Sequence, residues 1–84
     1  MLERVKMALR ITTDAYDDEL NALIESARLD LSIAGVDAKD DAICGTAICT
    51  YCKMLFGEPD NYDKLKGSYD EQKAQLSTAT AWRA

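Results

Sequence analysis

The sequence predicts an all-α fold, a small bundle of about four helices, and three observations lead there. Apolar residues recur at helical spacing over two long stretches. Gly35, Gly57 and Pro59 punctuate those stretches where helices end. No run of alternating apolar and polar residues reads as a strand. With 84 residues and 48% apolar composition the chain is read as one domain, residues 1–84, whose last stretch, 78–84, is expected to be a flexible tail.

The first helix rests on Leu2, Val5, Ala8 and Leu9 and is expected to end near Ile11. In "TTDAYDD", Thr12, Thr13 and Asp14 are each good N-caps, and Asp17, Asp18 and Glu19 set negative charge on the next first turn. The second helix, roughly 16–34, has the clearest period: Leu20, Leu23, Ile24, Ala27, Leu31 and Ala34 share one stripe, with Gly35 as C-cap. After "GVDAKDD", Asp40 or Asp41 opens a third helix that Gly57 closes. Nearly every position of it is apolar. Only Thr46, Thr50 and Lys53 form a narrow polar strip, so this helix should be buried by its own domain and by something further. A fourth helix, about Tyr62–Ser77, has a thin stripe of Tyr62, Leu65, Tyr69 and Leu76, with Gln72 in place of a hydrophobe. Gly67 weakens it by about 1 kcal/mol relative to Ala, and it should pack loosely or at the edge.

Cys49 and Cys52, three apart, raise the question of chemistry. A structural zinc site needs four Cys or His ligands, and the chain has three cysteines and no histidine. A redox dithiol takes its low pKa from a helix N-terminus or a neighbouring cation, whereas Cys49 is expected about two turns inside a helix. Cys44, Cys49 and Cys52 are therefore read as apolar filler. The pairs Asp17–Asp18 and Asp40–Asp41 are explained by helix starts without a ligand. No Gly-rich phosphate loop is present, and without histidine no usual base activates a Ser or Thr, so no catalytic residue, cofactor or metal is expected and the protein is not read as an enzyme.

Ten basic against fifteen acidic residues give a net charge of −5, which disfavours direct nucleic-acid binding. No apolar stretch could serve as a signal-peptide core or span a bilayer, so a soluble intracellular protein with no membrane partner is expected. Trp82, beside Arg83, either seals the bundle edge or meets a partner.

The order "LERVKMALRI", "YDDELNALIESARLDL" and "AICTYCKMLFGEPDNYDKLKGSYDEQKAQL" resembles the small head–tail connector, or adaptor, proteins of tailed phages and prophages, often labelled DNA-packaging proteins. The resemblance covers about residues 2–80. It implies a non-enzymatic subunit of the virion neck, assembled in the host cytoplasm into a homo-oligomeric ring of about a dozen copies. Such a ring docks on the portal protein, extends the DNA channel without binding DNA specifically, and receives the next head-completion or tail component. Leu76, Trp82 and Arg83 are the candidate partner interface, since the C-terminal segment is the least committed to the core and carries interface-prone residues. A small prophage-encoded helical regulator is the alternative, and a thiol- or metal-dependent protein a further one.

Overall fold

In the computed structural model, residues 1–36, 42–57 and 60–78 are described, apart from the side chain of Ala42. They form four helices and no strand: α1 (Leu2–Leu9), α2 (Asp17–Ile33), α3 (Ala42–Leu55) and α4 (Tyr62–Thr78). The all-α bundle read from the sequence is the fold observed. Asp40 and Asp41 lie outside the described residues, as do Pro59 and, beyond Thr78, the expected tail.

α3 is the axis of the bundle, and α1, α2 and α4 all pack on it. Cys44, Ala47, Ile48, Cys49, Cys52 and Met54 of α3 are buried. Against them lie Val5 of α1, the stripe Leu20, Ile24, Ala27 and Leu31 of α2, and Tyr69 and Leu76 of α4. Three helices around one account for most of the apolar surface of α3, with Ile43 and Leu55 left half open. The polar strip is not simply solvated. Arg4 of α1 donates from Nη2 to Thr46 Oγ1 at 3.0 Å, and Thr50, 9% exposed, donates back to the Thr46 carbonyl at 3.0 Å. A Cβ at Gly45 would overlap the Arg4 guanidinium, so the glycine leaves room for that side chain to lie against α3.

Two helix ends share one geometry. Gly35, at φ +84°, terminates α2, with Val36 N–H donating to the Leu31 carbonyl and Gly35 N–H to that of Ser32. Val36 and Leu31 are both buried, giving the apolar contact that accompanies this motif. α1 ends in the same way, two residues before the Ile11 expected, with Ile11 N–H donating to the Lys6 carbonyl and Arg10 N–H to that of Met7. Here the left-handed position, φ 59°, is taken by Arg10 rather than glycine.

The start of α2 corrects the capping expectation. Tyr16 occupies the N-cap and no side chain caps the helix. Thr13 Oγ1 instead accepts from Ala15 N–H, and Asp14 has been recruited by a lysine. Lys6, 6% exposed, places Nζ 2.8 Å from Asp14 Oδ1 and 3.0 Å from Asp17 Oδ1, tying α1 to the entry of α2. These two hydrogen bonds, opposed by burial, hold the Lys6 ammonium well above its ordinary pKa, and Asp14 is held below the usual carboxylate range by the same contact. α4 does sit at the edge, resting on α3, but it is held more firmly than its thin stripe implies. Tyr69 meets Tyr51 edge to face at 5.3 Å, and its hydroxyl donates to Asp30 Oδ2 on α2 at 2.5 Å, beside Lys73 at 3.2 Å.

Candidate functional site

The cysteine stretch lies wholly inside. Cys44 and Cys52 have no exposed surface and Cys49 is 8% exposed; none of the three is in a disulfide. Burial pushes the Cys52 thiol up to about 12, with Cys49 adding to it, and burial also raises Cys49 against the opposing fields of Arg4, Lys53 and the N-terminal amine. A thiol that resists ionisation is a poor nucleophile and a poor metal ligand. Among the described residues no cluster of three or more Cys, Asp or Glu is arranged to hold a metal ion, and no helix is long and apolar enough to cross a membrane.

The polar group beneath α4 is built for cohesion. Burial raises Asp30, yet the hydrogen bonds from Tyr69 and Lys73 and the charges of Lys73 and Lys66 outweigh it and leave the carboxyl below its ordinary value. Tyr69 is driven upward by burial and by its bond to that carboxylate. The shallow cavity beside them, about 150 Å³, has Tyr51 and Met54 on its floor and the Lys66–Asp70 pair, 2.9 Å apart, on its rim.

The larger opening is a groove of about 380 Å³ where the end of α1, the end of α3 and the start of α4 meet. Leu9, Phe56 and Leu65 supply its apolar lining, and Arg10 and Lys53 its charge. Phe56 is reached from the other side by Tyr16, edge to face at 5.4 Å. Elsewhere α2 carries large apolar side chains on its outer surface, Leu29 at 65% and Ile33 at 86% exposure, and Met7 of α1 is 78% exposed. Sequence reasoning missed all of these. Leu29 and Ile33, four apart and off the buried stripe, were the available signal.

Of the residues expected to contact partners, Leu76 is 2% exposed and packs into the core beneath α4. Trp82 and Arg83 lie outside the described residues.

The chain is thus a helical bundle that buries its thiols and carries an open groove and several large apolar side chains on its surface. A family model described as phage connector protein matches residues 1–82, nearly the whole chain. The chain belongs to the phage connector protein family, and its role is that of a phage head–tail connector. No curated protein and no solved structure matches it.

Proposed function

We propose that the chain is the repeating subunit of a ring in the virion neck, about a dozen copies around the DNA path. The ring docks on the portal, extends its channel and receives the next head-completion or tail component, without catalysis. Residues 1–84 act as one connector domain assembled in the host cytoplasm. The observation that carries this reading is the exposure of Leu29, Ile33 and Met7 on a chain that belongs to the connector family. A single subunit leaves them in water, whereas neighbours in an assembly cover them.

Portal contact is assigned to the C-terminal segment. Leu76 contributes only if the end of α4 lifts from α3, so Trp82 and Arg83 carry the assignment. The net charge of −5 suits a conduit through which DNA slides instead of sticking.

Electron microscopy of the purified chain mixed with purified portal tests the reading. Rings, or subunits seated on portal, are expected. A chain that stays monomeric and ignores portal under all conditions overturns it, and tight binding to duplex DNA overturns the conduit.

A further inference from the structure

Two faces of this chain are complementary and cannot meet within one molecule. The outer side of α2, directly opposite its buried stripe, carries Asp18, Ala22, Glu25, Leu29 and Ile33 in one line, all exposed. Its first half is acidic and its second half apolar. The groove between α1, α3 and α4 carries the opposite pattern of charge, with Arg10 and Lys53 beside Leu9, Phe56 and Leu65. Among the described residues neither Arg10 nor Lys53 is paired with a carboxylate.

Position rules out self-occupancy. The Tyr16–Phe56 contact puts the beginning of α2 at the groove, and Ile33 lies about 24 Å further along the helix. The apolar half of α2 is therefore at the far end of a molecule whose dimensions are 37 × 24 × 18 Å, and it faces away from the core.

Arg10 supplies the second, independent observation. It holds the left-handed position that ends α1, where glycine is at ease and a side chain is strained. Strain of this kind persists where the residue has a use. Among the described residues the Arg10 side chain serves no ion pair; it is one of the two cations that line the groove, on a protein of net charge −5. Copies with a net charge of −5 repel one another, and a local cationic site is what lets an acidic face approach.

We infer that the outer face of α2 in one copy docks in the Arg10–Lys53 groove of the next, a head-to-tail contact that repeats from copy to copy. Leu29 and Ile33 meet the apolar lining, and Asp18 and Glu25 face the two cations. Because donor and acceptor faces differ, the contact is heterologous and closes into a ring wherever its rotation allows. This assignment rests on the ring reading above and names the surfaces that build it.

The test uses the full chain and two surface variants, Ile33→Glu on the α2 face and Lys53→Glu in the groove, each checked for an unchanged urea midpoint. Sedimentation velocity of wild type is expected to show a head-to-tail series growing with concentration, and each variant alone should associate at least about tenfold more weakly. Mixed one to one, the variants should stop at a heterodimer, since only one intact pair of faces remains between them. Arg10→Gly should raise the urea midpoint while weakening association. Where association needs a template, the same comparison is made by counting subunits gathered on purified portal.

Variants that assemble as wild type does, a wild type that stops at a symmetric dimer, or a mixture that grows beyond two copies would each overturn the assignment of faces and leave the ring reading standing. A wild type that neither self-associates nor gathers on portal defeats the ring reading itself.

Discussion

Replacing Cys52 with alanine tests whether the sulfurs of α3 are packing material, and pH makes the test sharp. Cys52 has no exposed surface, so removing its sulfur deletes one buried heavy atom and leaves a small cavity, a loss of about 1–2 kcal/mol. Serine at the same site buries a hydroxyl, which can bond to the carbonyl of Ile48 four residues back, and should cost about 1–3 kcal/mol. The thiol also brings a liability at high pH. Its pKa rises from 9.0 to about 12 on folding, through burial first and the neighbouring Cys49 second. A raised folded value means that the native state keeps a proton that the unfolded chain gives up. Stability is then whole below the unfolded value and falls as pH rises from there toward the folded one. By about pH 10.5 that single thiol lowers wild-type stability by about 2 kcal/mol, a loss that Cys52→Ala does not suffer. Urea unfolding followed by circular dichroism under reducing conditions should therefore rank wild type above the variant near neutrality, with the two converging or crossing by about pH 10.5. Curves that stay parallel would refute the desolvated-filler account, as would assembly lost at unchanged stability or zinc bound in stoichiometric amount.

Three further outcomes follow from other parts of the bundle. Gly67 sits mid-helix, and a Cβ added there would meet nothing within 4 Å, so Gly67→Ala should stabilise the isolated chain by about 0.8–1 kcal/mol, read as a melting temperature about 4–8 °C higher; a fall would contradict the open surroundings. Tyr69→Phe removes the donor to Asp30, whose side chain is 36% exposed and keeps Lys73, so the loss should be about 1 kcal/mol at neutral pH. Because Asp30 is held below its ordinary value, that contribution exists above about pH 4 and vanishes as pH falls through the folded value; acid unfolding of the variant should be flatter there, and an unchanged profile would refute the pairing. Lys6→Met keeps the stem and removes the charge, so the Asp14 carboxyl should return toward its ordinary pKa in a carbon-13 NMR titration. The wild type should lose stability at strongly alkaline pH, above the ordinary lysine value, more steeply than the variant.

Local patterns carried most of the fold. The stripe of α2 and the all-round apolarity of α3 predicted which faces would be buried, because burial repeats at the pitch of the helix and leaves its trace in neighbouring residues. Gly35 announced its own left-handed turn. What stayed hidden depends on residues far apart in the chain. Lys6 reads as a solvated cation until Asp14 and Asp17 come around the turn, and that diversion of Asp14 is also why the expected cap did not form. Tyr69 and Asp30 are thirty-nine residues apart, so no spacing rule pairs them. The end of α1 was legible to within two residues, but its left-handed geometry was not, because Arg10 takes a conformation whose usual signal is glycine. The thiols were legible as an interior, whereas the burial of Leu76 and the exposure of Leu29 and Ile33 were not. Leu76 belongs to the thin stripe that actually anchors α4, and the exposed hydrophobes of α2 were masked by the stronger stripe on its other side.

The division of labour among the helices explains why a chain this short has surface to spare for docking. α3 is enclosed by the inward faces of the other three helices, so the core asks nothing of the outward face of α2. Among the described residues no further layer covers Leu29 and Ile33, as is common where a domain is small and much of its surface stays open. The groove has a similar origin. α1 is only eight residues long and ends before it can run beside α4, leaving an opening over the end of α3 whose lining is core-like and whose edge carries Arg10 and Lys53. A longer α1, or a glycine at its end, would make a more stable subunit with a poorer seat for a neighbour. Under the proposed ring, the strain at Arg10 and the water-exposed Ile33 are two sides of one compromise, in which an isolated subunit gives up stability that the assembly would restore.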